Sequence, residues 1–155
     1  FRRVLFRSIP TVWFWPNSDP GNEKITKEIR AKREAGHLNN CLFVKTLNPN
    51  VFLSLLSKAN CLIGNYSAGI RESNFLGLPV INIGRRQEGR ERGENVIDWD
   101  FTSDEDLLTL LTEFPKKQFS SGFVYGSGEA GSTIGKSLME VNLISHKRFQ
   151  KRKLV

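Results

Sequence analysis

Short apolar runs bounded by turn residues alternate along this chain with segments of helical period. Thr11–Trp15 is β-branched and aromatic, is stopped by Pro16, and predicts a buried strand. Dense turn chemistry follows from Pro16 to Asn22. Asn22 is then placed to cap a helix over Glu23–Ala35, with Ile25 and Ile29 one turn apart on its buried face and Gly36 at its end. Cys41–Lys45 predicts a second strand, and Asn48-Pro49 supplies a cap and a first-turn proline for a helix through Phe52, Leu53, Leu55, Leu56 and Ala59. Asn60–Gly64 predicts a third strand, Ser67–Leu76 a helix, Pro79–Ile83 a fourth strand and Asn95–Ile97 a fifth. Ser103 to Asp106 resembles a capping box before a helix carrying Leu107, Leu108, Leu110, Leu111 and Phe114, which Pro115 closes. Phe123–Ser127 and Gly128–Gly131 are loop-like, and Thr133–Val141 suits a closing helix.

Alternation of strand and helix through short links predicts an α/β fold with a doubly wound parallel sheet. The strands are apolar on consecutive residues, as expected where both faces are covered. Ligands on such sheets bind beyond the carboxyl ends of the strands. Asn17, Leu47, Ser67 and Arg86 each stand just past such an end, so four loops are expected on one rim.

The centre of that rim is the turn Gly64-Asn65-Tyr66-Ser67-Ala68-Gly69, between an apolar run and a helix. A strand that hands over to a helix through small residues leaves amide hydrogens unpaired, and these suit a phosphate or carboxylate. Tyr66, Ser67, Ala68 and Gly69 are the expected anion contacts. Glu72, a little further into the helix, is placed to accept hydrogen bonds from sugar hydroxyls beside the anion. A turn of this kind also serves close packing alone. The loop Gly84–Glu94 that follows the fourth strand puts four arginines, three glutamates and three glycines in eleven residues. As a solvated loop its charges nearly cancel. Its glycines keep the backbone mobile, however, and arginine forks well onto phosphate oxygens. Arg86 is the expected pyrophosphate contact, and the whole describes a nucleotide-sugar site.

Charge changes the picture little. The 155-residue chain carries +7, but three arginines stand in residues 1–8 and five basic residues in 146–155, with no acid in either stretch. Without those eight the chain has 15 bases against its 16 acids, so the surplus lies at the two ends and forms no nucleic-acid stripe. Residues 1–8 are expected to be a foreign or poorly ordered lead-in, 9–141 one domain, and 142–155 a basic tail. The opening at Phe1, with Met139 the only methionine, suggests a segment of a longer protein. Apolar stretches fall far short of the ~20 residues of a membrane span. Cys41 and Cys61 lack a metal-type pairing and suit buried, reduced thiols in a cytoplasmic protein. His37 and His146 lie in a polar turn and a basic segment, Asp98, Asp100, Asp104 and Asp106 have no metal spacing, and no nucleophile–base pair is visible. The chain therefore reads as a binding half without catalytic residues, cofactor or metal.

The stretches GNYSAGIRE, LGLPVINIG and RQEGRERGENVI resemble the hydrolysing UDP-N-acetylglucosamine 2-epimerases. The likeness runs from about Ile9 to about Val141 and includes PNSDPG and the Tyr125–Ala130 stretch. The resemblance implies the C-terminal half of an enzyme of two Rossmann-like domains facing a cleft, as in GT-B glycosyltransferases. It implies uracil near the Leu47 backbone, diphosphate on Tyr66–Gly69, ribose on Glu72, and Asn17 and Arg86 reaching the phosphates or sugar. The implied reaction eliminates UDP to a glycal-like intermediate, then adds water with inversion at C2 to give N-acetylmannosamine for sialic-acid pathways. Its proton-transfer residues would lie in the missing N-terminal domain of the same enzyme, the main partner besides the UDP-sugar. The family's turn usually reads GNSS, and Tyr66 departs from it. A GT-B glycosyltransferase or non-hydrolysing epimerase half and a tail-driven nucleic-acid module are the competing readings. Homo-oligomerisation and feedback by a pathway end product stay open.

Overall fold

The computed structural model describes residues 9–17, 21–101 and 104–141. The expected lead-in, the basic tail, residues 18–20 and Ser103 of the expected capping box lie outside the described residues. Strand β1 (Thr11–Phe14) runs parallel to β2 (Cys41–Val44), with Thr11 opposite Cys41 and Phe14 opposite Val44. Helix α1 (Asn22–Glu34) connects them. Helix α2 (Pro49–Leu56) leads to β3 (Leu62–Gly64), helix α3 (Glu72–Leu76) to β4 (Val80–Ile83), and an irregular connection to β5 (Val96–Trp99). Helix α4 (Asp104–Glu113) passes into a 3₁₀ turn at Phe114–Lys116, where Pro115 ends the α-helical bonding.

This is the expected α/β architecture with parallel strands throughout, but the described strands form two ladders rather than one sheet. β1 pairs with β2, and β3, β4 and β5 pair in that order. The division falls at β3, which has three ladder residues and ends on Gly64 at φ +139°, a conformation open to glycine and poor for continuing a ladder. β4 is the central strand and is buried throughout Val80–Asn82. Ile81 packs one way with Trp99, Leu111 and Phe114, joined by Cys61, Ile97, Leu107 and Phe119. Val80 faces the other way, toward Gly69. Coverage of both faces therefore holds for β4 and fails elsewhere, since Leu42 of β2 is 64% exposed and Ile63 of β3 43%.

Local details follow the sequence in part. Asn48 caps α2 as expected, its Oδ1 accepting from the Asn50 amide at 3.0 Å. That helix ends at Leu56, short of Ala59. The cap of α1 is Gly21 at φ +89° rather than Asn22, which is the first helical residue and turns its side chain elsewhere. Ile29 is buried, whereas Ile25 is 55% exposed, so the expected two-residue buried face reduces to one.

The chain separates into two compact units, Phe1–Val124 and Tyr125–Val155. All five strands belong to the first. In the second, α5 (Ala130–Glu140) starts before the expected Thr133 and takes in Ala130 and Gly131. Its apolar residues Ile134, Leu138 and Met139 are exposed. No helix among the described residues is long and apolar enough to cross a membrane.

Candidate functional site

The turn after β3 is built by close packing. Gly69 lies so near β4 that an added Cβ would sit 3.1 Å from Val80 Cγ1 and 3.3 Å from Leu62 Cδ2. Tyr66 is extended, and Ser67–Gly69 form a single 3₁₀ turn. The Gly69 amide donates to Tyr66 O, and those of Ile70 and Arg71 both donate to Ser67 O, each at 3.0 Å. The Ser67 and Ala68 amides precede the first of these bonds, where a helical start leaves its donors unused by the turn itself. Ser67 is exposed at this mouth.

The expected continuous helix Ser67–Leu76 is interrupted. Ser73 Oγ donates to Gly69 O at 2.5 Å, and Arg71 (φ −95°, ψ −70°) breaks the bonding between the 3₁₀ turn and α3. At five residues α3 sums few peptide dipoles, so an anion at this mouth would be held by the amides of the turn and by nearby cations rather than by a long macrodipole. Glu72 is exposed at the first turn of α3 and is not folded into the core.

The arginine-rich loop supplies those cations and is cross-tied rather than free. Arg85 grips Glu88 with two bonds, Nε to Oε2 at 2.9 Å and Nη2 to Oε1 at 3.0 Å. That grip holds the Glu88 carboxyl below the usual carboxylate range and raises Arg85. Arg92 donates from Nη2 to Gln87 O at 2.9 Å and from Nη1 to Arg90 O at 2.8 Å, and its Nε sits 3.1 Å from Asp98 Oδ2. Arg86 is different. It is exposed, and its Nη1 lies 3.4 Å from Asn65 O, one residue before Tyr66. Gln87 Nε2 donates to the same carbonyl at 2.7 Å. Of the sequence-derived residues, Arg86 and the Tyr66–Gly69 turn are thus brought together.

Tyr66 belongs to an aromatic cluster. Its ring lies 6.2 Å from that of Phe14 and 6.5 Å from that of Phe52, and Phe14 meets Phe52 edge-on at 5.5 Å. The three rings join the end of β1, helix α2 and the turn. Asn17 follows β1 and is exposed. Its carbonyl accepts from Asn22 Nδ2 at 2.7 Å, and it shares an open groove of about 580 Å³ with Trp15, Thr26, Arg30, Lys45 and Thr46. Leu47 is half-buried just after that groove's Thr46 and just before the Asn48 cap. Asn17 and Leu47 therefore stand just past the carboxyl ends of β1 and β2.

Sequence reasoning missed Gln87, Asn65 and a buried amide network. Asn74 Nδ2 donates to Asn95 Oδ1 at 3.2 Å, and Asn95 Nδ2 donates to Leu78 O at 2.8 Å and to Ser73 Oγ at 3.4 Å. Asp98, dismissed as a metal ligand, accepts from Asn82 Nδ2 at 2.6 Å and faces Arg92.

Residues 2–139 match the family model described as UDP-N-acetylglucosamine 2-epimerase. The chain is 32% identical over 142 residues to a UDP-N,N'-diacetylbacillosamine 2-epimerase (hydrolyzing) of Legionella pneumophila, covering 92% of this chain and 37% of that protein. It is 34% identical over 87 residues to a UDP-N-acetylglucosamine 2-epimerase of Neisseria meningitidis serogroup B, covering 56% of this chain and 22% of the other. To a GDP/UDP-N,N'-diacetylbacillosamine 2-epimerase (hydrolyzing) of Campylobacter jejuni it is 42% identical over 73 residues, 47% of this chain and 18% of that one. The chain thus spans well under half the length of these curated relatives.

Proposed function

The chain belongs to the UDP-N-acetylglucosamine 2-epimerase family, and from that premise we propose that it is the C-terminal, UDP-holding part of a hydrolysing 2-epimerase. The full enzyme converts UDP-N-acetylglucosamine and water to N-acetylmannosamine and UDP, in the cytoplasm and in two Rossmann-like halves of GT-B type. The observation that carries the reading is the approach of Arg86 to Asn65 O, which puts a guanidinium beside the Tyr66–Gly69 turn.

In this reading the diphosphate lies against the amides of Ser67 and Ala68, and Arg86 reaches its oxygens by charge-assisted bonds. The exposed Glu72 carboxylate accepts from the ribose hydroxyls. Asn17 reaches the phosphates or sugar, and the Leu47 backbone borders the uracil. Proton transfer at C2 belongs to residues of the rest of the enzyme, so this chain alone binds UDP and turns over nothing. The Legionella relative is named for UDP-N,N'-diacetylbacillosamine and the Campylobacter one for GDP/UDP-N,N'-diacetylbacillosamine, which makes the UDP form of that sugar the second substrate reading.

Calorimetric titration of UDP against the chain tests the binding half of the proposal. Saturable binding at millimolar UDP or below is expected, and its absence overturns the reading. Incubating the full enzyme with each sugar nucleotide and identifying the released sugar decides between the two substrates. A requirement for a sugar acceptor would instead make it a glycosyltransferase.

A further inference from the structure

The loop that carries Arg86 has a buried amide at its centre. Gln87 is 2% exposed between Arg86 and Glu88, both of which are exposed. Its Nε2 donates to Asn65 O at 2.7 Å, and its backbone carbonyl accepts from Arg92 Nη2 at 2.9 Å. Arg92 in turn faces Asp98 of β5, and Asp98 accepts from Asn82 of buried β4. A continuous polar chain therefore runs from the central strand through Asp98, Arg92 and Gln87 to the carbonyl before Tyr66. Because that carbonyl only accepts, the Gln87 carboxamide has one orientation that works, with Nε2 toward Asn65. Gly84 at φ +72° and Gly89 at φ +77° flank the segment and lend it no side-chain restraint. Gln87 Nε2 and Arg86 Nη1 both reach Asn65 O, tying the loop to the turn.

We propose that Gln87 is a positioning residue that seats Arg86 over the Tyr66–Gly69 turn. Gln87 itself touches no ligand in this arrangement and acts through its neighbour. The inference deepens the UDP-site reading and rests on it. A glutamate here would lose the donor while keeping its size, and a methionine would keep volume without polarity.

The test is a double-substitution cycle on the full chain, with Gln87→Met and Arg86→Ala singly and together, titrated with UDP and with uridine. Misplacing one contact group by about 1 Å typically costs a large factor, and here Gln87→Met is expected to weaken UDP about tenfold with uridine nearly unchanged. In the Arg86→Ala background the same change is expected to cost less than about threefold, because coupled groups are not additive. Equal losses in both backgrounds, or equal losses for uridine and UDP, overturn the proposal. Hydrogen exchange reads the tie without UDP: the amides of Gly69, Ile70 and Glu88 are expected to exchange faster in Gln87→Met, with those of β4 unchanged. Unaltered exchange overturns it. If the wild-type chain ignores UDP while exchange responds as expected, the UDP reading falls and the tie stands. Should Gln87→Met fail to fold, Gln87→Glu is read by the same two measurements.

Discussion

Asn74 and Asn95 face each other across the start of α3 and the entry to β5, with Asn74 Nδ2 donating to Asn95 Oδ1 at 3.2 Å. Both are buried. Asn74 Oδ1 also accepts from the Val124 amide at 3.3 Å, and its backbone carbonyl accepts from Gly122 at 2.8 Å. One residue thus gathers helix α3, the end of the arginine loop and the 122–124 segment. Buried amides satisfied on every side specify one arrangement more strongly than apolar packing does, because each alternative strands a polar atom.

This crowding makes Gly93 a testable position. A Cβ on Gly93 would collide with the Asn74 carboxamide and with Asn95 Oδ1. Gly93→Ala is expected to destabilise the chain by about 1–3 kcal/mol in urea unfolding, the usual cost of overpacking. The same substitution in an Asn74→Ala background should cost clearly less, since the main obstacle is gone. Equal costs in the two backgrounds would show that the strain lies elsewhere.

Tyr66 separates packing from phosphate contact. Its ring contacts with Phe14 and Phe52 predict that Tyr66→Ser loses about 1–2 kcal/mol of stability, at the scale of ~0.5–1.5 kcal/mol per aromatic pair. Tyr66→Phe keeps both rings and is expected to leave stability and UDP affinity unchanged. A tenfold loss of UDP affinity in Tyr66→Phe would place the phenol on the ligand instead.

Much of this was legible in the sequence, for physical reasons that differ by element. Asn48-Pro49 announces its helix because capping is local chemistry. The parallel strands are legible because three of the four β4 residues are apolar, with Asn82 the one polar position. The split between the ladders was not, since it depends on how few residues β3 commits to pairing, and apolar content does not record strand length. Nor was the interruption after Gly69, where the Ser73 hydroxyl takes a carbonyl of the preceding turn. The grip of Glu88 on Arg85, too, appears only in three dimensions. Gln87 and Asn74 carry no charge and no period, so burial alone reveals them.

Cys61 gives the chain an alkaline limit. Burial pushes its thiol up to about 12, and its Sγ lies 3.6 Å from Leu62 O. The folded form holds its proton where the unfolded chain releases it, so stability is fully present below the ordinary thiol value near 8.5 and falls as pH rises toward 12. Between pH 8 and pH 10 this one group is expected to remove on the order of 1–2 kcal/mol. Urea unfolding of Cys61→Ala should show a shallower alkaline decline than wild type by that amount. Parallel declines would mean that the thiol is not the group responsible. In thiol labelling near pH 8, Cys41 is expected to react well before Cys61.

Glu72 offers the sharpest test of the sugar half of the site, because the competing reading of the turn as mere packing gives its exposed carboxylate nothing to do. If the carboxylate accepts from ribose hydroxyls, binding must register the loss of one of them. UDP is then expected to bind more tightly than 2′-deoxy-UDP by about 1.5–3 kcal/mol, the range for a hydrogen bond to a charged group. Glu72→Ala should weaken UDP by a similar amount and leave 2′-deoxy-UDP almost unaffected, so that the two ligands converge. Glu72→Gln, which still accepts but without charge, should fall between. Calorimetry on the three proteins with the two nucleotides measures all of this in one series. Loss of affinity for both nucleotides in equal measure would mean that Glu72 supports the turn and does not grip the ribose.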